Sequence, residues 1–535
     1  MIATIETVLF LLSVLVVVAI AAPRLNIAPS ILLVIAGVGM ALIPGLPRIE
    51  LAPELVLFGF LPPLIYSAGV SMSWREFCFN LRPIVLLAVG CVIFTAFAVA
   101  VAVNWLLGMP FAVAFLLGAI VAPPDVVAPL AIARQLGLPR RLLVVLEGEG
   151  LANDATALIL YRFAIAAIST GLFSLPEAGG TFVLIVVGEI AFGIAVGWAS
   201  LRLRRWAHDP RVEITLSLMT PYVAFWVPEQ LGGSGVLATV AAGLFVSWRG
   251  PLLIPALTRL QGIFFWDLVI YFLEGFIFLL TGLEVRALLE RVTAFPLTEL
   301  VTAALATVAV VIAARFIWIF PATYLPRWLI PPLARRDPAP PWQQVFLLSF
   351  IGVRGVVSLA AALAIPFSTV AGEPFPFRDQ IFFITFGVIL VTLVGQGIVL
   401  PAVVRRLGLA RTRADEHLHE HEAELAARWE ALRIAGDHLD RLAAENEAED
   451  VLSTLRAHHD YRVRRLPRTI SDGVESATRT AELRLQLINN EREYLYDQLR
   501  QGRITDEARR RLERELDLEE AIIVNRRGGA DAGPL

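Results

Sequence analysis

The sequence contains no lysine; all 45 of its basic residues are arginine. Only two cysteines occur in 535 residues, Cys78 and Cys91, both near or within one apolar stretch. That rules out a disulfide framework and gives no zinc-site spacing. No glycine loop of the phosphate-cradling type is present, which argues against work driven by ATP. Charge is scarce as well, at 17% of residues, against about 25% in soluble domains. The deficit points to the lipid bilayer. The net charge of −3 is uninformative, because it averages a basic N-terminal region and an acidic C-terminal one.

What is present is apolar: 57% of the chain is hydrophobic, and mean hydropathy is +0.69. About thirteen apolar stretches of roughly 17–25 residues precede position 405, the length that spans a hydrocarbon core. They fall near 4–22, 27–45, 53–71, 83–108, 111–133, 142–168, 181–200, 212–230, 233–248, 262–283, 297–322, 343–366 and 380–403. The first lacks a basic leader and reads as a retained helix rather than a signal peptide. The expected fold class is therefore an all-α polytopic membrane protein. Most loop arginines, among them Arg82, Arg140, Arg141, Arg204, Arg205, Arg335 and Arg336, fall on one side of this arrangement. The opposite loops hold Arg48, Arg286, Arg291 and Arg378. The positive-inside rule makes the arginine-rich side cytoplasmic, with the N-terminus outside and the C-terminus inside.

After Arg406 the composition changes. Residues 410–535 are rich in Glu, Asp, Arg, Ala and Leu, with apolar positions such as Leu418, Leu425, Trp429, Leu432 and Leu439 at helical spacing. This is the pattern of a cytosolic helical tail. Six of the seven histidines lie in it, and His417 and His421 share a helix face. They read as a charged helix surface, with a pH sensor or a metal site as the sharper alternative.

Ionisable residues inside membrane spans are costly, so each is a candidate for function. The fifth span reads Val-Ala-Pro-Pro-Asp-Val-Val, where Pro123 and Pro124 remove backbone donors and break the helix beside Asp125. The sixth reads Glu147-Gly-Glu149-Gly150-Leu-Ala-Asn153-Asp154; Glu147, Gly150 and Asp154 share one face, and Glu149 and Asn153 the next. Asp154 is the functional candidate, and Glu149 is expected to pair with a buried cation. The twelfth span offers one, Arg354, between Gly352 and Gly355, so that this helix too is expected to be interrupted. Arg315 and Arg162 also lie in apolar stretches, Arg162 near a helix end where it can snorkel. Glu274 is a further intramembrane acid, expected in a structural ion pair. With the seventh span as a linker, six helices stand on each side, and the two broken helices occupy equivalent positions in inverted halves, a pointer to a transport site.

At Leu-Pro-Pro-Leu-Ile-Tyr-Ser-Ala-Gly (61–69), Leu-Glu-Gly-Glu-Gly-Leu-Ala-Asn-Asp (146–154), Phe-Leu-Leu-Thr-Gly-Leu (278–283) and Gly-Val-Arg-Gly-Val-Val-Ser-Leu-Ala (352–360), the chain resembles the monovalent cation:proton antiporters. The resemblance runs from about residue 10 to 405. It implies a domain at 1–406 with core helices at about 83–168 and 297–403, dimerisation helices at about 4–71 and 212–283, and a linker helix at about 181–200. It implies a homodimer in the plasma membrane, with the tail at 410–535 in the cytoplasm. Asp154 is implied as the shared carrier of cation and proton, with Asn153 and Asp125 steadying the broken helices or lending oxygens, and Glu149–Arg354 as a structural ion pair. Asn before the carrier Asp implies electroneutral exchange. The transported partners are protons and sodium, potassium or lithium; no cofactor, nucleic acid or enzymatic reaction is implied.

Three positions depart from the family pattern. Ser67 stands where the third helix usually carries an acid, Pro124-Asp125-Val126 replaces Thr-Asp-Pro, and Gly150 replaces a serine. Each change removes an oxygen near the cation site, and the Ala122 carbonyl or water is the expected substitute. Two other classes compete. An ion channel would need a polar lining along a whole pore, and the polar residues here form one midplane cluster. A transporter-like sensor signalling through the tail would need only a bound state and a bistable core.

Overall fold

The computed structural model describes residues 2–25, 27–43, 52–171, 174–291, 296–369, 372–409, 412–444, 449–464, 474–501, 503 and 506–528. Among these the chain is helical, with a single isolated bridge between Ser368 and Pro374. Two units are separated at Ala410, Met1–Ala410 and Arg411–Leu535.

The first unit begins with α1 (Ile2–Leu25) and α2 (Pro29–Ala41), then α3 (Leu55–Ser71) and the short α4 (Trp74–Phe79). Next come α5 (Leu81–Leu107), α6 (Phe111–Val121), α7 (Val127–Gln135) and the 31-residue α8 (Arg140–Thr170). They are followed by α9 (Leu175–Ala207), α10 (Pro210–Gln230), α11 (Val236–Leu253), α12 (Ala256–Leu283) and α13 (Val285–Arg291). The last are α14 (Leu297–Leu329), α15 (Pro331–Arg336), α16 (Trp342–Phe350) and α17 (Val356–Leu363), then α18 (Arg378–Leu407). Eight helices among the described residues are long and apolar enough to cross a membrane; α2, α3 and α6 are shorter apolar helices.

The stretches expected at 111–133 and 343–366 each resolve into two helices, as Pro123-Pro124 and Gly352/Gly355 require. Elsewhere, small residues set the packing. An added Cβ on Gly37 would stand 2.3 Å from the Leu279 carbonyl, and one on Gly282 2.3 Å from that of Val34, so α2 and α12 meet backbone to backbone. Gly118 likewise sits on the Ala96 carbonyl and joins α6 to α5. Lipid supplies no hydrophobic force between helices, so such close approach is what holds them together. Three helices contain one π-wound turn, at Leu55–Phe60, Leu86–Cys91 and Val391–Gln396. The last of these is used at the site below.

Among the described residues the second unit has four helices, α19 (Thr412–Ala444), α20 (Glu449–Arg464), α21 (Val474–Arg500) and α22 (Asp506–Gly528). α19 packs on α20 and α21 on α22, with His459 of α20 bonded to the Leu432 carbonyl at 2.9 Å. The side chains of His417 and His421 lie outside the described residues.

Candidate functional site

The two broken helices cross. α6 ends because Pro123 and Pro124 have no N–H to continue it. The chain then runs through Asp125, whose N–H donates to the Val353 carbonyl at 2.7 Å in the other break. The Asp125 Oδ1 turns back to accept the Val127 N–H at 2.9 Å, at the first residue of α7. Gly355 is required at the crossing, since a Cβ there would stand 1.8 Å from Asp125 Oδ2. Gly150, on α8, faces the same break, and a Cβ there would stand 2.2 Å from the Val126 side chain.

Arg354 is fully buried at the second break. Its N–H donates to Thr392 Oγ1 at 3.0 Å, in the π turn of α18. Its Nε donates to the Val121 carbonyl at 2.8 Å, Nη2 to that of Ala122 at 3.2 Å, and Nη1 to that of Gly352. Val121 and Ala122 end the first half-helix, so the guanidinium caps carbonyls that have no intrahelical partner.

The expected Glu149–Arg354 ion pair is not formed. Glu149, fully buried on α8, is instead held by Arg315 of α14, with Nη1 to Oε1 at 2.6 Å and Nη2 to Oε2 at 3.2 Å. Arg315 Nη2 also reaches the Leu348 carbonyl at 3.1 Å. The physical reason is the crossing. Arg354 is turned toward the end of α6, whose carbonyls need a donor, and the carboxylate falls to the arginine on the neighbouring long helix. Both arginines stand out in sequence as intramembrane charges, but nothing local says which one faces Glu149.

Asp154 lies five residues beyond Glu149 on the same helix and is half-buried. It makes no hydrogen bond or ion pair with the described residues, and Asp125 is near enough for their charges to interact. Its neighbour Asn153 is fully buried and donates Nδ2 to the Pro124 carbonyl at 2.6 Å, tying α8 to the first break. Asn153 Oδ1 is buried without a partner among the described residues. Asp154, Asp125, Asn153 and Gly150 thus gather at one place. The Ala122 carbonyl, the expected substitute oxygen, already accepts from Arg354. Ser67 is half-buried on α3 and bonds none of the described residues.

Other charged groups sort differently. Glu147 pairs with Arg134 at 2.5 Å near the helix end, and Arg162 pairs with Glu229. The ion pair expected of Glu274 is not formed with the described residues; its side chain is half-buried. Thr392 was not singled out in the sequence, where a threonine in an apolar helix carries no signal.

A half-buried carboxylate with no partner among the described residues, beside two helix breaks, matches the arrangement expected of a midplane ion site. The family model for the transmembrane sodium/hydrogen exchanger matches residues 10–406. The chain belongs to the sodium/hydrogen exchanger family. The exchanger is 35% identical over 518 residues to an uncharacterised Na+/H+ exchanger of Mycobacterium tuberculosis, covering 94% of this chain and 93% of that one. It is 34% identical over 377 residues to a sodium, potassium, lithium and rubidium/H+ antiporter of Bacillus pumilus, covering 68% of this chain and 56% of the relative. Its fold is similar to that of the sodium proton antiporter of Methanocaldococcus jannaschii, with TM-score 0.59 and 17% identity over 76% of this chain and 99% of that one. The exchanger is thus a multi-pass membrane antiporter, a transporter rather than an enzyme.

Proposed function

We propose that the protein exchanges a monovalent cation for protons across the plasma membrane, with Asp154 as the carrier of both. Sodium is the first candidate, with potassium and lithium beside it. The observation that carries this is the contrast along α8: Glu149 is neutralised by Arg315, while Asp154 has no cation of its own. An uncompensated charge in a membrane helix is costly, so Asp154 is stable when loaded with either a proton or a cation. The loaded, neutral site moves with its helices between the two faces, and the empty charged site does not. Exchange rather than leak follows. Asn153 and Asp125 hold the crossing in place, and Asn153 before the carrier fits one-for-one, electroneutral exchange. A homodimer with the helical tail on the cytoplasmic, arginine-rich side completes the proposal.

The test is proton flux in sealed vesicles carrying the purified protein. An internal pH dye would be followed after separate additions of sodium, potassium and lithium salts. Recovery that follows a cation and is lost in Asp154→Asn supports the proposal. Full activity in Asp154→Asn would sink it. A folded wild type inert to all three cations would favour a sensor acting through the tail.

A further inference from the structure

A second charged site lies away from the crossing. At the arginine-rich end of the first unit, α5, α8, α14 and α16 enclose a cavity of about 70 Å³. Its walls are apolar, including Leu86, Leu142, Val145, Ile319 and Leu348, and its rim carries Arg82, Arg141 and Arg327. One carboxylate, Asp337, faces all three guanidinium groups.

That carboxylate is already taken. Arg327 donates Nη2 to Asp337 Oδ2 at 2.7 Å, Nε to the Asp337 carbonyl at 3.0 Å and Nη1 to the Thr323 carbonyl at 2.5 Å. Arg141 donates Nη2 to Asp337 Oδ1 at 2.6 Å and Nε to Asn80 Oδ1 at 3.2 Å. Arg82 has only a long contact from Nη2 to Asp337 Oδ2, at 3.5 Å. Its Nε and Nη1 are buried without an acceptor among the described residues. The nearby Glu76 is held by Arg140 at 2.6 Å. Three cations around one anion leave an excess of two positive charges. A buried donor left unpaired costs about 1–3 kcal/mol, and more when charged.

The missing partner is an anion with several oxygens. The cavity, at about 70 Å³, is several times the ~10–15 Å³ that a single water needs, so it has room for a small oxyanion group. Arginine forks suit phosphate oxygens. The surroundings say what carries that phosphate. Phe79 and Leu81 precede Arg82, Trp328 and Leu329 follow Arg327, and Trp342 opens α16; all five are exposed. Exposed tryptophans beside arginines mark the level of lipid headgroups.

We propose that this cavity binds the phosphate of an anionic phospholipid, with Arg82 as the main donor and the apolar wall against the first methylenes of the lipid. A net negative headgroup is preferred, because the rim carries excess positive charge. The site is independent of transport through Asp154.

The experiment uses the full chain in detergent, with phosphatidylglycerol, phosphatidylcholine or inorganic phosphate added separately. Melting temperature and lipid retention in native mass spectrometry are read together. Phosphatidylglycerol is expected to raise the melting temperature and stay bound, and phosphatidylcholine to do neither. Arg82→Gln is expected to weaken phosphatidylglycerol binding by about tenfold or more, for the loss of charge-assisted bonds. Arg202→Gln, an arginine stacked on Trp206 elsewhere, is expected to leave it unchanged. Val145→Phe fills the cavity without touching charge and is expected to lose the lipid as well, which keeps the test open if Arg82→Gln folds poorly. Equal binding in wild type and both cavity variants overturns the proposal, as does equal stabilisation by phosphatidylcholine. Stabilisation by inorganic phosphate that matches phosphatidylglycerol overturns the lipid assignment in favour of a free anion.

Discussion

Two carboxylates on α8 can be compared directly. Glu149 and Asp154 lie about 7.5 Å apart along the helix axis at 1.5 Å per residue; Glu149 is fully buried and Asp154 half-buried. Glu149 is gripped by both terminal nitrogens of Arg315, and its oxygens have nothing further to accept. Asp154 faces a break in two neighbouring helices and has no such partner. The same helix therefore carries one charge that is locked and one that is open. A locked pair fixes α8 against α14 and cannot exchange its ion. An open carboxylate contributes little to the fold and is free to change its occupant.

The largest effect is expected of Glu149→Gln. It leaves Arg315 charged and buried, and removal of one partner from a buried pair costs about 3–5 kcal/mol. The purified variant is expected to melt far below wild type or to fail to accumulate, and Glu149→Gln with Arg315→Leu is expected to recover part of the loss. A thermal melt of both checks this. Gly355→Ala comes next. Its Cβ would stand 1.8 Å from Asp125 Oδ2, so the crossing must shift, at roughly 1–3 kcal/mol for an overpacked site. Exchange in vesicles is expected to fall with stability. Thr392→Val removes the acceptor of the Arg354 N–H, which leaves a buried donor unpaired at about 1–3 kcal/mol. Its melting temperature should drop while Asp154 chemistry is retained. Asp154→Asn is at the other end: it breaks no bond with the described residues, so the melting temperature is expected to stay near that of wild type, with exchange abolished. A large loss of stability in Asp154→Asn would erase the distinction between locked and open charges.

Much of this was legible in sequence where the cause is local. Two prolines in a row must end α6, and glycines around Arg354 allow the second break, so both interruptions could be placed to within a few residues. The clustering of Asn153 and Asp154 on one helix beside Asp125 was legible for the same reason. The partner of Glu149 was not. Arg315 and Arg354 are equal as intramembrane arginines, and the choice between them depends on how the two helix breaks meet at Asp125 and Val353, which no local pattern encodes. Thr392 is another case: its role comes from the π turn at Val391–Gln396, and an isolated threonine does not announce it. Glu274 reads as paired on the general cost of an intramembrane acid, yet it forms no ion pair with the described residues, and no local pattern encodes that.

The guanidinium of Arg354 has one more consequence. The carbonyls of Val121 and Ala122 form the negative end of a half-helix, where an ion would otherwise shed its water. Arg354 sits there as a permanent, tethered tenant. On the proposed function, a cation at Asp154 would meet carboxylate oxygen and water rather than these two carbonyls. Such a berth would weigh charge more than radius, so potassium and lithium are expected to compete with sodium for it.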